Sequence, residues 1–296
     1  MNTEKLMPPL WMAYPDIRQY SIGWRMGSGE SYSYKFWDWF DTLSQKEQQE
    51  YMAMFPEPKR WYKFWEISLN EDYDYSSDED SMCFINGDLF VYYWQENGKP
   101  EFDLEWLKKQ HNSGKKIKYE FFWGHRPSPD KTITKSCLSQ WWKADFYEDT
   151  EKYCCMEQYM MSAKAKLFGD DEINQQIMEC SEPNKIKALG RKVRGFNEEM
   201  WDKVKYSIVL NGNYLKFSQN RQLMNFLLNT GDKILVEASP YDGIWGIQMS
   251  ANDENAENPL KWRGSNLLGF ALTEVREELK RVYKNENLVD YKSVKE

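Results

Sequence analysis

With 296 residues, 41% of them hydrophobic and 29% charged, the chain suffices for one large domain or two and is too apolar to be wholly disordered. It contains no run of about eighteen apolar residues, which argues against a transmembrane helix. The Met1-Asn-Thr-Glu-Lys5 start also lacks the basic-then-apolar layout of a secretory signal. Five Cys form an odd set without framework spacing, so a secreted disulfide scaffold is not expected. The reading is a cytoplasmic protein with no membrane partner. Two His, His111 and His125, lie near no Cys pair, so structural zinc is not expected and a His-based nucleophile relay has thin support.

The net charge of −8 is concentrated in the first part of the chain. Residues 1–115 carry 12 Lys and Arg against 20 Asp and Glu, and residues 116–296 carry 27 against 27. The stretch Asn70-Glu-Asp-Tyr-Asp-Tyr-Ser-Ser-Asp-Glu-Asp-Ser81 has no aliphatic residue and reads as a solvated loop or linker. No broad basic stripe exists, which disfavours tight non-specific binding to duplex phosphates. Aromatic residues, at 16%, suit both ring-filled cores and stacking on flat ligands.

Taken in chain order, residues 15–65 are dense in rings and Gly, with a helix predicted near Ser33–Phe55 that stops before Pro56. Asn86-Gly87 between Met82–Ile85 and Leu89–Tyr93 signals a hairpin. A short helix, Asp103–Gln110, ends ahead of Gly114, and Lys116–Trp123 reads as a strand. Further helices are predicted over Glu151–Phe168, Glu172–Cys180, Pro183–Val193, Asn197–Phe217, Gln222–Asn229 and Ser265–Tyr283. Strands are expected at Ile234–Glu237 and Gly243–Gln248. The fold class is α+β, predominantly helical with a few short strands, behind an aromatic-rich acidic N-terminal region. The expected division is 1–115, 116–283 and a tail, 284–296.

The chemistry concentrates on the helix predicted at Glu151–Phe168. With Met156 at zero and about 100° per residue, Met160, Ala163 and Leu167 form a core stripe, while Gln158, Ser162 and Lys166 share the expected wet side. Glu157 and Lys164 fall at about 100° and 80°, within the apolar arc and two turns apart. A carboxylate and an ammonium there are costly unless paired or used. A boundary ion pair or a snorkelling Lys is the structural account; a general acid/base carboxyl with a stabilising or nucleophilic Lys is the functional one.

Other features suit a ligand with aromatic and phosphate parts. Ser139-Gln-Trp-Trp142 offers a ring for stacking, Lys185–Arg194 clusters five cations, and Glu237-Ala-Ser-Pro-Tyr-Asp-Gly-Ile-Trp-Gly246 is a turn beside aromatic residues. Each has a plain structural explanation as well. No P-loop or GxGxxG motif is present.

The motifs in series are more specific. Ser139-Gln-Trp, Met156-Glu-Gln-Tyr-Met-Met-Ser-Ala-Lys-Ala-Lys-Leu-Phe168, Lys187-Ala-Leu-Gly-Arg191, Trp201, Lys216-Phe-Ser-Gln-Asn220 and Leu228-Asn-Thr-Gly231 come first. Leu235–Ile247, Trp262-Arg-Gly-Ser-Asn-Leu-Leu-Gly269 and Val275-Arg276 then complete an order that resembles the NADAR family over roughly residues 118–280. The resemblance implies hydrolysis of N-glycosidic bonds. Its substrates would be ADP-ribosyl conjugates of guanine in nucleic acid or, alternatively, phosphoribosyl-aminopyrimidine intermediates of riboflavin synthesis. A non-catalytic ADP-ribose or NAD-binding module is the reading from another class.

By position, Glu157 matches the family's catalytic Glu, Lys164 the Lys on the same helix, and Asp242 joins them. Ser139, Trp141, Arg191, Trp201, Trp245 and Asn266 match substrate-binding positions. Cys155 stands where the family commonly has Thr, implying a drier pocket, and Gly246-Ile-Gln-Met249 replaces the usual Gly-Ile-Gly. The implied scheme needs no metal and no cofactor.

Overall fold

The computed structural model describes residues 5–70, 72–74, 83–87 and 89–294. Its fold is α+β with helix dominant. The elements are α1 (Leu10–Ala13), α2 (Gly23–Met26), α3 (Glu30–Asp41), α4 (Gln45–Met54), α5 (Phe64–Leu69), β1 (Cys83–Asn86), β2 (Leu89–Tyr92) and α6 (Leu104–Asn112). They continue with β3 (Tyr119–Phe122), β4 (Phe146–Glu148), β5 (Glu151–Tyr153), α7 (Met156–Leu167), α8 (Asp171–Glu179), α9 (Pro183–Gly190), α10 (Glu198–Gln219), α11 (Arg221–Asn229), β6 (Ile234–Glu237) and α12 (Leu267–Val282). Among the described residues, no helix is long and apolar enough to cross a membrane.

The rings of the first region fill a core of their own. Trp11 meets Trp61, Phe64 and Trp65 edge-on at centroid separations of 5.5, 5.4 and 5.4 Å, and Phe36, Phe40, Tyr51 and Phe55 pack around them. The helix predicted over 33–55 is two helices. Ser44 breaks it because its Oγ accepts from the Glu47 backbone N–H while the Glu47 carboxylate accepts from the Ser44 N–H at 3.0 Å, a reciprocal cap that starts α4 afresh.

The hairpin β1–β2 turns one residue later than expected. Asn86 pairs with Leu89, so Gly87, at φ 54°, is the first turn residue. Met82 of the expected first strand, and residues 71 and 75–81 of the acidic stretch, lie outside the described residues. Leu89, Val91, Tyr93 and Trp94 bury into the larger core that holds α7 and α10. Asp103 caps α6 through the Trp106 N–H at 2.7 Å.

Three corrections concern the larger region. The helix predicted from Glu151 begins at Met156, because residues 151–153 pair antiparallel with Phe146–Glu148. Gly243–Gln248 is a loop, because Asp242 Oδ1 accepts from the Ile244 and Trp245 N–H groups at 3.0 and 2.8 Å and curls the chain. The expected wet side of α7 is largely buried: Gln158 is 3% exposed and Ser162 0%, and only Lys166 stays partly exposed, paired with Glu151. The Gln158 amide donates to the carbonyls of Ile177, Met178 and Cys180 at 2.9–3.1 Å, tying down the end of α8, and Ser162 Oγ donates to Asn174 Oδ1 at 2.7 Å. Wheel geometry gives polarity, not neighbours; here other helices supply the partners that water would have.

Strands β3 and β6 pair in parallel, Tyr119 with Ile234 through Phe122 with Glu237, and place the C-terminal end of β6 beside α7. One of several links between the two cores is Arg60, 2% exposed, whose guanidinium meets the Glu148 carboxylate at 2.7 Å; Arg18 with Asp149 and Lys59 N–H with Glu278 are others. The other Glu148 oxygen accepts from the Tyr159 hydroxyl of α7 at 3.0 Å. Among the described residues Arg60 Nε and Nη1 have no hydrogen-bond partner and Glu148 is its one ion-pair partner, with Asp16 acting on it only at longer range. Substituting Glu148→Ala should therefore cost about 3–5 kcal/mol, the penalty for an uncompensated buried charge. Urea denaturation checks this, and a loss below about 1 kcal/mol would show that the cores hold together without the pair.

Candidate active site

A cavity of about 780 Å³ opens where α7, α9, the start of α10, the end of β6 and the loops after β3 and β6 meet. Glu157 sits in the first turn of α7, where the helix dipole favours negative charge. Its backbone N–H donates to the Gln140 carbonyl at 3.0 Å, and the Trp141 indole N–H donates to Oε2 at 3.0 Å. Oε1 is buried with no partner among the described residues. Burial pushes the carboxyl's proton affinity up; Lys187 and the Trp141 bond pull it back, Asp242 raises it again and Arg191 opposes that.

Two turns along α7, Lys164 does not reach Glu157. Its ammonium donates to the Gly190 carbonyl at 3.0 Å and lies 4.2 Å from the Phe196 ring centroid and 5.8 Å from that of Trp201. Desolvation alone moves its pKa down, towards the neutral amine. The close approach of α9 depends on Gly190: a Cβ there would lie 2.0 Å from Met161 Sδ.

The loop carrying Ser139 and Trp141 is fixed from beneath by Lys216, which is 0% exposed and donates to the Cys137 and Ser139 carbonyls at 2.6 and 3.1 Å. Burial brings its pKa down to about 8. The Trp141 ring is clasped by His125, at a centroid separation of 5.3 Å, and by the Lys187 ammonium at 5.8 Å. Burial and the neighbouring Arg126 hold His125 below its usual range.

Ser139, Trp141, Glu157, Lys164, Arg191, Trp201, Asp242 and Trp245 all line the cavity. Asn266 does not. It is 0% exposed, adopts φ 54°, and uses its amide to accept from the Glu237 N–H at 2.9 Å and donate to the Leu235 carbonyl at 3.0 Å, so it shapes β6 from behind. Asp242 faces the cavity, but its Oδ1 is engaged with the loop backbone. Cys155, expected to dry the pocket, is fully buried outside its lining. Gln248, at φ 51°, lies against lining residue Gly243.

Lys187, His125 and Glu237, to which the sequence pattern assigns no site role, also line the cavity. Glu237 carried one usable signal: it is an acid ending the otherwise apolar strand Ile234-Leu-Val.

Residues 121–280 match the model of the NADAR domain family. The chain is 48% identical over 166 residues to an N-glycosidase of Acanthamoeba polyphaga mimivirus, covering 54% of this chain and 96% of that one. It is 42% identical over 143 residues to protein irg-1 of Caenorhabditis elegans, covering 46% and 68%. An N-glycosidase of Nostoc punctiforme is 30% identical over 146 residues, covering 49% and 86%.

The contact at Gly190 generates a two-part test. Gly190→Ala should destabilise the fold by about 1–3 kcal/mol through overpacking, and loosen the carbonyl that Lys164 holds. In thermal unfolding the double variant with Met161→Ala, which removes the colliding sulfur, should lose less than the sum of the two single losses. Additive losses in the double variant would show that the collision is not the cause.

Proposed function

The chain belongs to the NADAR family, and from that premise we propose that this hydrolase of N-glycosyl bonds removes ADP-ribose from guanine bases of nucleic acid. The observation that carries the reading is Glu157, a carboxyl 3% exposed whose Oε1 has no partner among the described residues and whose Oε2 is oriented by Trp141 at the cavity. A buried carboxyl held so costs stability unless a substrate uses it.

Breaking an N-glycosyl bond builds positive charge at the anomeric carbon, requires a proton on the departing nitrogen, and requires water to give one up. Glu157 serves the proton traffic. Lys164 has two routes: its ammonium stabilises the departing base, or its neutral amine displaces the base at the anomeric carbon and forms an imine as the ring opens. In the second route the base leaves with the bonding electron pair and takes a proton, the ring carbon–oxygen bond then breaks with its pair on oxygen, which takes a proton from the amine, and water hydrolyses the imine. The lowered pKa of Lys164 supports the second route. Asp242 raises the proton affinity of Glu157 and shapes the loop that carries Trp245.

Cavity volume and lining support a nucleoside-diphosphate sugar. The volume of about 780 Å³ falls in the range of small-ligand pockets, Trp141 and Trp245 offer stacking faces, and Arg191 with Lys187 offers positive charge for phosphates. With an acidic front half, the chain has little to hold a long duplex, so recognition rests on the cavity and a nucleotide turned out of the stack.

Turnover of an ADP-ribosyl-guanine oligonucleotide beside a phosphoribosyl-aminopyrimidine tests the reading. Release from the oligonucleotide is expected, with kcat reduced about 10²–10⁴-fold in Glu157→Gln. Release from the pyrimidine alone would make the protein a metabolic glycosidase. Silence on both, with ADP-ribose bound equally by wild type and variant, would leave a binding module. Borohydride is expected to trap a covalent adduct that Lys164→Ala abolishes; no adduct in the wild type removes the imine route.

A further inference from the structure

Glu237 enters the same cavity from β6, and its Oε2 is buried without a partner among the described residues, as Glu157 Oε1 is. Its backbone cannot swing the carboxyl away. The N–H is bonded to Asn266 Oδ1 at 2.9 Å, the carbonyl accepts from the Ile247 N–H at 2.9 Å, and the residue pairs with Phe122 across the sheet. Two carboxyls in one cavity, Glu157 buried and Glu237 half-buried, each with a buried oxygen left bare, do not both ionise cheaply, so the pair tends to keep one proton.

The surroundings decide which carboxyl holds it. Glu157 has an indole N–H on Oε2, lies in the first turn of α7 and has Lys187 and Arg191 nearby, all of which favour its carboxylate. Among the described residues no side chain donates a hydrogen bond to the Glu237 carboxyl, and the charges facing it are Asp242 and Glu157, opposed by Lys187. Burial first, then Asp242, pushes it up to about 8, with Glu157 adding to that.

We propose that Glu237 is a second catalytic residue: the carboxylic acid that protonates the departing base, while Glu157 as carboxylate takes the proton of the attacking water. The assignment rests on reading this cavity as that of a hydrolase. As the bond between anomeric carbon and nitrogen breaks, its electron pair stays on nitrogen, which takes the Glu237 proton and leaves neutral. The water oxygen bonds to the anomeric carbon, and its proton passes to Glu157. One proton transfer from Glu157 back to Glu237, through water in the vacated cavity, restores the starting state. On the imine route the acid does the same work at the departing base.

The test is Glu237→Gln, which keeps shape and removes the titrating proton. On the ADP-ribosyl-guanine oligonucleotide, wild-type kcat should fall as pH rises past about 8, where Glu237 loses its proton. The variant should show kcat lower by about 100-fold or more, KM within about threefold, and no alkaline limb of that origin. Wild-type kcat with the limb intact in the variant would overturn the proposal.

A second measurement needs no substrate. A carboxyl whose folded pKa is raised contributes stability that is present below its unfolded value and lost as pH rises through the folded value. The urea midpoint of the wild type should therefore drop relative to that of Glu237→Gln between pH 5 and pH 9. Parallel midpoints over that range would refute the placement of the proton on Glu237, whatever the substrate. A wild type that cleaves no N-glycoside while its midpoint shifts as expected would instead sink the hydrolase reading, and the catalytic role with it.

Discussion

Desolvation of the Glu157 carboxyl is the constraint that the neighbouring structure serves. An acid at the start of α7 would ordinarily face water, yet this helix is enclosed by α8, α9, α10 and the β4–β5 hairpin. Enclosure demands close backbone approach, which Gly190 allows, and it demands internal partners for every polar side chain, which Gln158 and Ser162 find on α8. It also demands that the loop bearing Trp141 not drift, and buried Lys216 holds it by two carbonyls. These groups act on the site without lining it. The fold accepts strained electrostatics here because the surrounding core is large, the usual relation between stability and a working site.

The N-terminal region attaches by different physics. Its own core is almost all rings, and its link to α7 runs through a guanidinium, a carboxylate and a phenol in series: Arg60, Glu148 and Tyr159. Such a link is directional. It fixes the orientation of the ring-filled helices against the back of the helix that carries Glu157, where an apolar contact alone would let them slide. The hairpin β1–β2 and α6 extend this arrangement, since their apolar residues bury with the larger region and not with the rings.

Much of this was legible in the chain. Strand Ile234–Glu237 falls where its apolar run predicts, and the helices over residues 171–229 match within a few residues. The break at Ser44 is written in the Ser44-x-x-Glu47 spacing, which a single helix over 33–55 ignores. Tertiary choices were not legible. Residues 151–153 join a hairpin because a partner strand precedes them, Gly243–Gln248 stays a loop because a carboxylate captures its backbone, and Asn266 proves to be a clamp because its left-handed backbone turns the amide inward. Of the site, sequence pattern located Glu157 and Lys164 as anomalies in an apolar arc. Glu237 escaped it because a half-buried acid at a strand end looks like any solvated one until the cavity is seen.

The parallel pairing of β3 with β6 has a kinetic side. Residues 123–233 lie between the two strands, so the pairing of Phe122 with Glu237 closes a very long loop. Pairings of that span form late in folding. Until they form, both carboxyls remain in water and exert no strain on the chain. The electrostatic burden of the cavity therefore falls on the state in which β3 and β6 are joined, and that pairing must offset both the closure of the loop and the desolvation of the Glu237 carboxyl.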